Sequence, residues 1–153
     1  GEIKIDGKTV EKPSMKYVTI FQNYGLLPWR SVQKNVELGL ETKKLGREEK
    51  KKITDHYLEM VGLKEAAKKR PAQLSGGMQQ RVAIARALAA APAIILADEP
   101  TGNLDGKTSQ DVLSLLKVTS RKFAQTIVMI THNEEIAQLA DRIIRIEDGR
   151  IIK

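Results

Sequence analysis

The 153-residue chain contains no cysteine, so disulfides and thiolate metal sites are excluded. Aromatic residues make up only 4% of it, which leaves any core to be built from Ile, Leu, Val and Ala. No stretch is long and apolar enough to cross a membrane. The longest candidate, Val82 to Ala97, is interrupted by Arg86, and a spanning helix needs roughly 20 mostly apolar residues. The first residues do not read as a signal peptide. If the protein serves a membrane, another subunit must do the crossing. The formal net charge is +7, and basic residues cluster in the runs Lys43, Lys44, Arg47, Lys50–Lys52 and Lys68–Arg70. No aromatics are interleaved with them to stack bases, so they read as solvated helix faces and no nucleic-acid partner is expected.

What is present is ordinary for one globular domain: 41% hydrophobic and 29% charged residues. Asp6-Gly7 and Asp148-Gly149 are two-residue turn signals. They predict hairpins over Glu2–Val10 and Ile143–Lys153. Lys16 to Gln22 reads as a strand. The short apolar runs Ala93–Ala97 and Thr126–Thr131 read as buried parallel strands. Helices are expected over Glu48–Val61, Lys64–Lys69, Ser75 to near Pro92, Gly106–Phe123 and Glu134–Leu139. Met78, Val82, Ala85 and Leu88 would share one side of the third. Strands separated by helices imply an α/β core with a parallel sheet. The expected organisation is a core from 1–22 and 91–153, with 23–90 inserted as a helical subdomain.

Four local patterns carry chemistry. Leu74-Ser75-Gly76-Gly77-Met78-Gln79-Gln80-Arg81 opens a helix on two glycines. Unpaired first-turn N–H groups and the helix dipole favour a phosphate there. The second pattern, Ala93 to Glu99, is an apolar strand ending in two adjacent carboxylates. Asp98 could hold Mg²⁺ through water, and Glu99 could orient and deprotonate an attacking water. Alone, the pair could equally be strand-end acids in a solvated turn. His132 follows a strand and Gln22 ends one, and each is weak evidence by itself.

Together, these residues resemble the ABC ATPase family along essentially the whole chain. Gln22 matches the Q-loop, Leu74–Arg81 the signature motif and Ile94–Glu99 Walker B. Gly102–Asp105 matches the D-loop and His132 the switch histidine. The spacings also match: 53 residues from Gln22 to Ser75, 23 from Ser75 to Asp98 and 33 from Glu99 to His132. Met78 departs from the Gln that many members carry.

The resemblance implies a P-loop-NTPase-like (RecA-like) parallel sheet with an inserted helical signature subdomain. It implies ATP and Mg²⁺ as ligands. Catalysis would fall to Glu99, His132 and Gln22. Asp98 and Gln22 would serve the metal. Ser75, Gly76, Gly77 and Gln79 would contact the triphosphate of a second ABC ATPase domain, and Asp105 would connect the two sites. The loop Asn23 to Arg30, with Leu26, Leu27 and Trp29, would dock a transmembrane permease subunit. The location implied is cytoplasmic, at the inner face of the cell membrane.

The resemblance also exposes a gap. No G-x-x-x-x-G-K-[ST] loop occurs in the chain. Thr101–Thr108 only approximates one, with threonine at its first position. In the family the P-loop precedes the hairpin that begins here, so its strand and helix are expected to be missing. That predicts an isolated chain unable to turn ATP over, with exposed strand edges. Two alternatives stand beside a transporter ATPase: an inactive dimerisation or regulatory fragment, and a soluble non-transport ABC ATPase. Leu26–Arg30 resembles importers of nitrate, sulfonates or taurine, while Pro100–Asp105 resembles lipoprotein-release or macrolide-export ATPases, so the substrate stays open.

Overall fold

The computed structural model describes residues 1–152. Strands β1 (Lys4–Ile5) and β2 (Lys8–Thr9) form the expected antiparallel hairpin. Asp6 and Gly7 have φ of 51° and 73°, the pair of positive values that a type I′ turn requires. Strand β3 (Tyr17–Ile20) ends two residues before Gln22, so Gln22 sits in the following loop rather than closing the strand. Helix α1 (Val32–Glu37) was not expected from the sequence. Its cap is Ser31, whose side chain accepts a hydrogen bond from the Lys34 N–H at 3.3 Å.

Helix α2 (Arg47–Met60) stops at Gly62, whose φ of 72° reverses the chain. The expected helix over Lys64–Lys69 is only a 3₁₀ turn, Lys64–Ala66. Then follow α3 (Gly76–Ala89), β4 (Ile94–Asp98), α4 (Gly106–Lys122) and β5 (Thr126–Ile130). A one-turn helix α5 (Glu134–Ala137) and the hairpin β6 (Arg145–Glu147) with β7 (Arg150–Ile152) complete the fold. The hairpin strands begin at Arg145 rather than Ile143, and Lys153, the last residue of the expected hairpin, lies outside the described residues. Between β3 and β4 the chain forms helices and no strand.

The central sheet is parallel with order β3-β4-β5. Helix α3 is its main support, and it is buried more completely than one apolar side would predict. Val82 and Ala85 pack with Val32, Val36, Leu40 and Leu58 of the helical region. Ala83, Ile84, Ala87 and Leu88 pack with Ile20 and Ile95 of the sheet and with Val112 and Leu116 of α4. The helix therefore separates two cores. Its alanines let both come close, and they disguise the two-sided pattern in the sequence.

Backbone approaches backbone most tightly at Gly39. A Cβ there would lie 2.4 Å from the Arg86 carbonyl oxygen. Both groups belong to backbone, so no rotamer change relieves the clash. Gly39→Ala should destabilise the protein by about 1–3 kcal/mol. In a thermal melt that is a fall of roughly 3–10 °C for a domain of this size. An unchanged midpoint would contradict the packing described.

The sheet departs from one expectation. Ala93–Ala97 and Thr126–Thr131 read as fully buried strands, yet only one face is covered. Ile20, Ile95 and Ala97 are buried under α3 and α4, while Leu96, Val128 and Ile130 on the opposite face are 37%, 49% and 62% exposed. A continuous apolar run shows that both faces of a strand are apolar; it does not supply the layer that covers each. Among the described residues, nothing pairs with the outer edge of β5, and the β6–β7 hairpin stays separate. No helix among them is long and apolar enough to cross a membrane.

Candidate active site

The site begins where β4 ends. Asp98 pairs with Ile130 in the parallel ladder, so the residues just beyond them leave the sheet side by side. Glu99 then adopts φ of 42°, a left-handed conformation uncommon outside glycine. Its N–H still bonds the Ile130 carbonyl at 2.9 Å. The turn swings the carboxylate onto the end of β5. There Oε1 accepts the His132 N–H at 2.8 Å and lies 2.6 Å from His132 Nδ1. Oε2 accepts from the Thr131 hydroxyl at 3.3 Å. The Glu99 side chain is 18% exposed and that of His132 85%. Strand register thus brings together two residues that are 33 apart in sequence.

Gln22 lies on the other side of β4. It lines an open cleft with Phe21, Asn23, Asp98 and Asn103. Its Nε2 donates to Asn103 Oδ1 at 3.5 Å, and Asn103 Nδ2 donates to the Gln22 carbonyl at 3.2 Å. A Cβ at Gly102 would meet Gln22 Nε2 at 2.5 Å, so this glycine makes room for the amide. Gln22, Asp98, Glu99 and His132 therefore lie along one edge of the sheet. Gln22 touches Asn103 rather than His132.

The donor set suits magnesium. Asp98 and the amide oxygen of Gln22 are hard oxygen donors lining one cleft. Among the described residues no group of three His, Cys, Asp or Glu forms a dedicated cage.

The signature segment is built as a helix entry. Ser75 caps α3, accepting from the Met78 N–H at 3.3 Å. Gln79 turns back, its Nε2 reaching the Leu74 carbonyl at 3.4 Å. The two glycines also serve packing. A Cβ at Gly77 would lie 2.2 Å from Thr108 Cγ2, and one at Gly76 would lie 2.6 Å from the Tyr24 hydroxyl. Asp105 caps α4 as expected, accepting from the Thr108 N–H at 3.0 Å and its hydroxyl at 2.8 Å. Those bonds hold the Asp105 carboxyl below the usual carboxylate range. The cap therefore supports the fold above the ordinary carboxylate pKa and is lost as pH falls through the lowered one.

Several supporting residues escape a sequence reading. Asn35, fully buried, accepts the Leu27 N–H at 2.8 Å and donates to the carbonyls of Leu27, Arg30 and Ser31. It fixes the loop that leaves Trp29 68% exposed. Arg86 donates to the carbonyls of Gly25 at 2.7 Å and Tyr24 at 3.2 Å. It thereby holds a pair of residues with φ of 58° and 68°. Burial pushes the Arg86 pKa down, yet a guanidinium stays charged. Its one sequence signal was a lone charge inside an apolar run. Lys43 spends its ammonium on the Ala89 carbonyl at 3.2 Å, at the end of α3.

A parallel sheet with helices, carrying acid, histidine and amide at its strand ends beside a helix opened by Ser-Gly-Gly, has the P-loop-NTPase-like α/β fold. The chain belongs to the ABC transporter family, whose model matches residues 1–102. It is 42% identical over 152 residues to the nitrate import ATP-binding protein NrtD of Synechococcus elongatus, covering 97% of this chain and 56% of that protein. It is 43% identical over 162 residues to the methionine import ATP-binding protein MetN of Rhizobium johnstonii, covering all of this chain and 45% of that protein. The chain thus spans about half the length of these relatives. Among solved structures, it superposes on the dimeric post-hydrolysis ATP-binding cassette MJ0796 bound to ADP and Pi. That match has a TM-score of 0.86 and 38% identity, covering 100% of this chain and 72% of that one. It also superposes on cbiO1 of Clostridium perfringens, with a TM-score of 0.89 and 29% identity, covering 100% of this chain and 64% of that one.

Proposed function

We propose that this chain is part of the ATP-hydrolysing subunit of an ABC transporter, working as a pair of ATPase domains on a permease. The observation that carries the reading is the Glu99–His132 contact of 2.6 Å at the ends of adjacent strands. On this reading Glu99 orients the attacking water and takes its proton. Held by Thr131 and His132, the carboxylate keeps one aim, and positioning of this kind is most of what phosphoryl-transfer catalysis requires of a protein. His132, largely solvent-facing, stabilises the γ-phosphate. Asp98 and Gln22 hold Mg²⁺, which neutralises charge developing on the phosphate oxygens when it is bound.

Ser75, Gly76, Gly77 and Gln79 serve the nucleotide of a second copy, and Asp105 links the two sites. Support comes from the dimeric form, with ADP and Pi, of the cassette this chain resembles. The stretch 23–90 acts as the helical subdomain. Its loop Asn23–Arg30 docks the permease through exposed Trp29, an aromatic anchor of the kind that dominates interfaces. The subunit then works at the cytoplasmic face of a membrane. The test is Mg-ATP-dependent phosphate release by the full-length protein, with Glu99→Gln as its control; absence of that activity would leave the inactive dimerisation reading.

A further inference from the structure

Gln80, six residues into the signature segment, is fully buried. Its Nε2 donates to the Pro100 carbonyl, while its Oε1 has no partner among the described residues. Only an N–H can serve a carbonyl, so this bond fixes which way the amide faces. A buried amide left half unsatisfied is a poor choice for packing alone; an apolar side chain of the same shape would avoid the desolvation penalty.

What the amide holds is informative. Pro100 directly follows Glu99 and has no N–H, so its carbonyl is its one backbone hydrogen-bonding group. Within the turn, the Gly102 N–H bonds the Glu99 carbonyl at 3.0 Å and the Leu104 N–H bonds the Thr101 carbonyl at 3.1 Å; from outside, Asn103 bonds Gln22 and the Glu99 N–H bonds the Ile130 carbonyl, both at the sheet. Glu99 itself keeps an unfavourable positive φ, and such a conformation persists only where its surroundings over-determine it. Gln80 adds the tether that comes from α3. About one turn away, at the start of the same buried helix, stand Ser75 and Gly76.

We propose that Gln80 is a positioning residue that ties the signature helix to the Glu99 turn, so that contact at the start of α3 and the aim of the Glu99 carboxylate move together. The inference rests on the proposed function, in which the start of α3 serves one ATP and Glu99 of the same subunit another. The Gln80–Pro100 bond is then a direct connection between the two sites of a dimer. It runs through α3 and is separate from Asp105.

The test compares full-length wild type with Gln80→Met, Ile84→Val and Glu99→Gln. Met keeps the length and loses the donor; Ile84→Val removes a methyl from the same helix as a packing control. Gln80→Met should lower kcat by about 10- to 100-fold, the range for losing support behind a working group. The KM for ATP should stay within about twofold, and the Hill coefficient should fall toward about 1. Gln80→Met indistinguishable from Ile84→Val in all three would overturn the proposal. If Gln80→Met does not fold, Gln80→Glu carries the test. It keeps the shape and donates only when protonated, so its kcat relative to wild type should rise as pH falls from about 8 to about 6. A flat ratio would overturn the proposal. Glu99→Gln turning over like wild type would instead defeat the proposed function itself, and this inference with it.

Discussion

Glu99→Gln in the full-length protein should reduce ATP turnover by about 10²–10⁴-fold, the usual contribution of a positioned general base. The amide is nearly isosteric. Its oxygen can still accept the His132 N–H that Glu99 accepts at 2.8 Å, so the turn and the strand ends should keep their geometry. Proton acceptance is what disappears. Nucleotide binding and pairing of two domains should survive, because neither needs a base. Phosphate release measures the first effect, and ATP-dependent dimer on a sizing column measures the second. A turnover loss of only about threefold would remove Glu99 from the role assigned to it.

The isolated 153-residue chain should behave quite differently from that full-length protein. Its cleft is lined by Phe21, Gln22, Asn23, Asp98 and Asn103. That lining offers no cation and one carboxylate to a polyphosphate. The sequence holds no loop of the type whose N–H groups and lysine cradle phosphates. ATP affinity weaker than about millimolar (about 4 kcal/mol of binding) and no steady hydrolysis are expected. The bare face of Leu96, Val128 and Ile130, with the open edge of β5, should also drive self-association. Titration calorimetry and phosphate release would check the first expectation, and light scattering the second. Millimolar or tighter Mg-ATP affinity with steady turnover would contradict this account.

How much of this was legible beforehand differs by residue. The Asp6-Gly7 and Asp148-Gly149 turns and the caps Ser75 and Asp105 are local chemistry, and local chemistry is readable one segment at a time. The parallel order of the strands followed from alternation with helices. Helix α1 escaped because it has six residues and only Ser31 announces it. The two-sided burial of α3 escaped because alanines fit any surface. The one-sided sheet escaped because an apolar run does not say what covers it.

At the site, motif spacing put Glu99 and His132 on the same list but could not give their contact. That depends on the pairing of Asp98 with Ile130, a long-range register. Gln80 was legible only as one residue of the Leu74–Arg81 pattern, and Asn35 carried no signal at all. Gln80 acts on a carbonyl 20 residues away at Pro100; Asn35 acts on the carbonyls of Leu27, Arg30 and Ser31, which only the fold of that loop brings to its amide.

A double-mutant cycle on ATP turnover by the full-length protein, using Glu99→Gln, His132→Ala and the pair, measures whether the two strand-end residues act as one unit. Strong non-additivity is predicted, with the double variant losing little more than the worse single one. Losses that simply multiply would show Glu99 and His132 working independently, and the 2.6 Å contact would then carry no catalytic meaning.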